Sequence, residues 1–139
     1  MRASPLVPVS WGELIDKLTI LEIKQERIDA PEARANVTRE YLRLSEAAAP
    51  VAEHDGITGL RGELKAVNQA LWEIEDEIRA KEAAGDFGEA FVRLARSVYK
   101  RNDERAALKR ELNMLLKSEL VEEKSYAGTN PGAARWSTS

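Results

Sequence analysis

Arg61 and Lys65, together with Arg96, Lys100, Arg105, Lys109 and Arg110, are the residues best suited to chemistry in this chain. Guanidinium forks match the geometry of phosphate and carboxylate, and lysine adds a compact positive charge. A turn at Gly85 would set residues whose numbers sum to about 170 side by side, as in an antiparallel helical hairpin. Arg61 and Lys65 then lie opposite the basic stretch that runs from Lys100 through Arg101 to Arg110. The local acids are Glu63, Asp103, Glu104 and Glu111. An excess of positive charge there could hold a small anion or a nucleotide sugar. Acids supplied by other helices would instead turn the same cations into ion pairs that tie the fold together.

A second pattern lies in polar residues seven positions apart. Arg96, Asp103 and Arg110 share one stripe, Lys17 and Lys24 another, and Asn68 and Glu75 a third. Seven residues is two helical turns, so each set faces one way. Converging stripes would form a ladder of half-buried polar pairs, which fixes helix register and partner choice. They could also form a cofactor-free site of mutase type, with Arg and Lys holding an anionic substrate and electrostatics lowering the barrier. All-helical chorismate mutase has the same general look, but no motif aligns with it, so the likeness is an analogy only. The same hairpin register places Glu73, Glu75, Asp76 and Glu77 near Arg93 and Arg96, as cross-helix ion pairs on a solvated face.

Much other chemistry is excluded. There is no cysteine, hence no disulfide, thiol nucleophile or cysteine-held metal. The single histidine, His54, rules out a di-iron bundle, which needs two Glu-x-x-His pairs. Gly59 and Gly62 have neither the spacing nor the Lys-Ser/Thr of a phosphate loop. No metal and no cofactor is expected. A net charge of −3 argues against nucleic acid. No apolar run approaches the roughly 18 residues of a membrane span. Met1 to Pro8 lacks the apolar core of a secretory signal, so the expected compartment is the cytoplasm.

The elements that must position these residues are helices. Leu60, Leu64, Val67, Leu71, Ile74 and Ile78 recur at spacings of four, three, four, three and four, a coiled-coil-like seam. It predicts a helix over about 59–83, with His54 to Thr58 as a loop before it and Gly85 as its stop. Ser10 and Glu13 form a capping box that opens a first helix over about 11–29. Its apolar residues occupy more than one face: Leu14, Leu18, Leu21 and Ile28 on one, and Ile15, Ile20 and Ile23 off it. Such a helix belongs at the centre of the bundle or at an oligomer interface.

Pro31 suits the first turn of a second helix with a weaker seam, Val37, Tyr41, Leu44, Ala48 and Val51, disturbed at Pro50. Asp86 and Glu89 make another capping box for a fourth helix, which reaches about Glu122. Trp72 is expected in the core and Trp11 as a lid on one bundle end. The chain, 43% hydrophobic and 32% charged, thus divides into an extension at 1–9, one bundle domain over 10–124 and a flexible tail at 125–139 carrying Tyr126 and Trp136. The fold expected is all-α, an antiparallel bundle of about four long helices built as two hairpins. The two-sided first helix and the long fourth one point to a homodimer.

Four blocks carry a resemblance: Glu13 to Lys24, Asn68 to Arg79, Ala95 to Asn113 and Glu122 to Tyr126. Together they resemble a small family of uncharacterised bacterial proteins, classed as a domain of unknown function, over about residues 6–127. The family brings no assigned activity. The resemblance implies an accessory role beside surface-polysaccharide or glycosyltransferase systems. It also implies that any site lies among the polar residues of those blocks: Asp16, Lys17, Glu22, Lys24, Asn68, Glu75, Asp76, Arg79, Tyr99, Asn102 and Asp103, with Arg96, Arg105, Lys109 and Arg110. The function expected is a protein-interaction or accessory module rather than an enzyme, with the anion site and the mutase-type site as alternatives.

Overall fold

The structure is a computed structural model that describes residues 2–117. Among these residues there are four α-helices and no strand: α1 (Trp11–Arg27), α2 (Pro31–Ala48), α3 (Asp55–Ala83) and α4 (Glu89–Leu115), with one 3₁₀ turn at Ala49–Val51. The fold is all-α, as expected.

Ser10 opens α1 by accepting a hydrogen bond from the Glu13 amide at 3.1 Å. A three-residue turn with extended backbone at Ile28 and Ala30 follows, and Pro31 starts α2 where its missing N–H is not needed. Side-chain pairs such as Gln25–Thr38 and Glu22–Tyr41 mark α1 and α2 as antiparallel neighbours.

Two boundaries differ from the expectation. Helix α3 begins four residues early, because His54 caps it: its Nδ1 accepts from the Gly56 amide at 3.2 Å. The run expected as a loop is the first turn of that helix, and Ile57 in it is fully buried. Helix α4 begins late, at Glu89. Asp86 does not cap it with Glu89 but closes the preceding turn, where its carboxylate accepts from the Gly88 amide and pairs with Lys81. Hydrogen bonds from Gly85 N to Glu82 O and from Asp86 N to Lys81 O form a Schellman motif, with Gly85 in the left-handed region at φ 67°. Gly85→Ala should therefore cost about 1–2 kcal/mol, the penalty of that backbone conformation for a residue with a Cβ. Urea denaturation followed by circular dichroism checks this. The expected end of the fourth helix at Glu122, and the tail with Tyr126 and Trp136, lie outside the described residues.

The core gathers Leu14, Ile15 and Leu18 of α1, Ala48 of α2, Ile57 and Leu64 of α3 and Leu112 of α4. Helix α1 touches all three other helices, which accounts for its two apolar faces within one chain. Trp11 packs against this core, whereas Trp72 is only half-buried and lies apart from it.

The α3–α4 hairpin extends beyond that body. No residue from Trp72 to Leu108 is buried. Among the described residues its apolar side chains there are at most half-buried, and Phe87 and Phe91 meet edge to face at 5.2 Å.

Candidate functional site

A polar ladder runs between α1 and the base of the hairpin. Its centre is Asp16, 1% exposed in the middle of α1. A buried carboxylate is tolerated only when its charge is matched and its lone pairs are filled. Arg105 of α4 supplies the charge with a two-pronged grip, Nε to Oδ1 at 2.9 Å and an Nη2 to Oδ2 at 2.5 Å. Asn68 of α3 donates from Nδ2 to Asp16 Oδ1 at 2.9 Å and to Thr19 Oγ1 at 2.9 Å. Thr19, itself fully buried, donates its hydroxyl proton to the Asp16 backbone oxygen at 2.7 Å. Three helices are thus joined through one carboxylate.

Two further rungs continue toward the start of α1. Lys109, 7% exposed, pairs with Glu13 at 2.8 Å. Asn113, 2% exposed, accepts from the Gly12 amide at 2.7 Å. Positions 105, 109 and 113 on α4 thus meet 16, 13 and 12 on α1, an antiparallel arrangement with one rung per turn of α4. The close approach at the end of this series needs Gly12: a Cβ there would lie 2.4 Å from the Lys109 backbone oxygen. Glu13, which the capping-box reading would turn back on Ser10, is spent on Lys109.

On the other side of α1, Glu22 and Glu26 take up the α3 cations. Glu22 accepts from an Arg61 Nη2 at 2.6 Å and from the Tyr41 hydroxyl at 3.1 Å, with Lys65 at 3.6 Å. Lys65 also donates to Glu26 at 2.7 Å. That bond holds the Glu26 carboxyl below the usual carboxylate range and raises the Lys65 ammonium.

The candidate residues therefore separate into three groups. Asp16, Asn68 and Arg105 converge on one buried site, Lys109 on the next rung, and Glu22 with Arg61 and Lys65 on the far face. Arg110 is half-buried on α4 near the same end. The sevenfold stripes do not converge. Lys17 is exposed and pairs with Glu40, Glu75 and Asp76 pair with Arg79 inside α3, and Arg96, Tyr99, Lys100 and Asp103 face solvent. Lys24 and Asn102 are half-buried outside the ladder. The cross-helix pairs expected between Glu73–Glu77 and Arg93–Arg96 are replaced: Glu73 meets Arg27 of α1, and Arg93 meets Glu89 of its own helix.

Sequence reasoning missed Gly12, Glu13, Thr19 and Asn113. A signal existed for two of them: Thr19 interrupts an otherwise apolar stretch of α1, and Asn113 adjoins Leu112 at the end of the α4 seam.

Chemically, the arrangement is closed on itself. Four of the cations proposed for an anion, Arg61, Lys65, Arg105 and Lys109, sit on carboxylates of α1. Among the described residues no group of His, Asp or Glu is placed to hold a metal ion, and no helix is long and apolar enough to cross a membrane.

In comparison with known proteins, the model of a family of unknown function (DUF6165) matches residues 6–136. No curated protein and no solved structure matches the chain.

Proposed function

The chain belongs to that family of unknown function, and we propose that it works as a helical interaction module. Helix α1, backed by α2, lies against the base of the α3–α4 hairpin, and the outer part of the hairpin is an arm that docks a partner. One observation carries this reading: no residue from Trp72 to Leu108 is buried, although the stretch is rich in apolar side chains. Phe87 is 56% exposed, Val92 50% and Tyr99 54%. Clustered exposed apolar residues on a protein with a well-filled core mark a surface meant to be covered.

The polar ladder supports the same view. Its charges are matched within the chain, so it serves to lock α1 across the hairpin in one register, the best-attested use of buried polar groups between helices. A rigid base then aims the arm. In this reading the protein is an accessory in the cytoplasm, beside surface-polysaccharide or glycosyltransferase enzymes, and does not itself catalyse.

Photo-crosslinking in cells tests the docking arm. A photoreactive residue at Tyr99 should yield a discrete adduct, while one at Leu42, an equally exposed position on α2 at 58%, should yield none. No adduct at Tyr99, or equal adducts at both positions, would remove the interaction reading.

A further inference from the structure

We infer that the partner seated on this arm is a second copy of the chain, paired so that α4 of each copy lies along α3 of the other. The inference rests on the docking-arm reading and is carried by the charge pattern of the arm. Between residues 73 and 82, α3 carries five carboxylates against two basic side chains. Between 89 and 101, α4 carries four basic side chains against one carboxylate. One arm is thus acidic along one helix and basic along the other.

Only part of this charge is left over by the single chain, since Glu73 is taken by Arg27, Lys81 by Asp86 and Arg101 by Glu104. Glu75, Asp76 and Arg79 pair within α3, and Arg93 and Glu89 pair within α4. Among the described residues Glu77, Glu82, Arg96 and Lys100 make no ion pair. A two-fold axis makes both halves of an interface identical, so a surface closes on itself only if it is self-complementary. An arm with opposite charges on its two helices meets that requirement. The basic α4 of each copy faces the acidic α3 of the other, twice over, without like charges opposed.

The apolar pattern fits the same placement. Val92 and Tyr99 are seven residues apart, on one face of α4, and Ala95 lies between them. This exposed strip runs beside the inner seam of Phe91, Leu94 and Val98, which is half-buried against α3. The outer end of α3 offers Ala80 and Ala83, small side chains that let a second helix approach closely. Charge would set orientation and partner choice, and apolar contact the affinity.

A charge swap tests the arrangement on the full chain. Light scattering during size exclusion should give the wild type twice the chain mass of 15.5 kDa. The variant Arg96→Glu/Lys100→Glu should run as a monomer, since its α4 now meets an acidic α3. The variant Glu77→Lys/Glu82→Lys should also run as a monomer, for the opposite reason. Mixed in equal amounts, the two should form a dimer, because both of its interfaces are complementary again. Circular dichroism confirms that each variant is folded. A monomeric wild type at all concentrations overturns the inference, as do charge-reversed variants that stay dimeric or a mixture that stays monomeric. If the wild type is monomeric and Tyr99 still crosslinks to a heavier protein, only the second-copy assignment falls and the docking arm stands.

Discussion

Replacing Arg105 by methionine should lower the free energy of unfolding by about 3–5 kcal/mol, the loss expected when one member of a buried ion pair is removed. The reason lies in what remains. Asp16 is 1% exposed, and its carboxylate would be left buried with only the Asn68 amide among its side-chain partners. Arg105 grips that carboxylate with two hydrogen bonds, against one from Asn68. Methionine keeps much of the arginine stem, so lost packing contributes little. The double variant Asp16→Leu/Arg105→Met should recover more than half of the loss, because a buried pair exchanged for apolar side chains of similar size is often neutral or better. Urea titration with an unchanged m-value is the measurement, since the m-value reports whether the unfolded reference has moved. A loss below about 1 kcal/mol for the single variant would be that of a surface pair, and would mean that Asp16 is solvated.

This pair shows where sequence reading reached and where it stopped. The helices themselves were legible, because periodicity, a Ser-x-x-Glu start, a Pro at N1 and a Gly stop are local signals. The α3 seam came out as read up to Leu71, with Leu64, Val67 and Leu71 buried. Beyond that point the same periodicity continues through Ile74 and Ile78, which are only half-buried, since pattern alone does not say how far a neighbouring helix extends. The two misplaced helix starts have a similar cause. A histidine cap is an uncommon signal, and Asp86 had two local uses, of which the turn won.

Candidate site residues were partly visible. Asp16, Asn68 and Arg105 were all singled out, yet not as partners, because Asp16 and Arg105 are 89 positions apart and single-sequence periodicity carries no information between helices. The hairpin register set Arg61 and Lys65 across from the α4 cations as one basic cluster. In the fold α1 lies among them and its acids divide the cluster into separate pairs. The heptad assumption misled in the same way. Contacts on α4 follow positions 105, 109 and 113, a four-residue ridge, rather than the seven-residue stripe of Arg96, Asp103 and Arg110.

Gly12 is where that register can be tested most sharply. Alanine is the better helix former, so on propensity alone Gly12→Ala in the first turn of α1 would stabilise by up to about 1 kcal/mol. The fold predicts the opposite sign. The new Cβ would lie 2.4 Å from the Lys109 carbonyl oxygen and 2.9 Å from Asn113 Oδ1. The first of these atoms is helix backbone and cannot swing aside, so α1 must move away from α4. That movement stretches the Gly12–Asn113 hydrogen bond and the Glu13–Lys109 pair together. Overpacking of this kind costs typically about 1–3 kcal/mol, and the linked rungs place Gly12→Ala toward the upper end of that range. Gly59 and Gly62 of α3 provide the comparison: a Cβ at either meets nothing within 4 Å. There the same Gly→Ala change should stabilise, by about 0.5–1 kcal/mol, through reduced freedom of the unfolded chain. One urea series on the three variants therefore asks whether an identical chemical change has opposite signs at the α1–α4 contact and on open helix surface. If Gly12→Ala stabilises as the others do, α1 does not rest on the α4 backbone. The ladder register would then be wrong, and with it the rigid base that aims the arm.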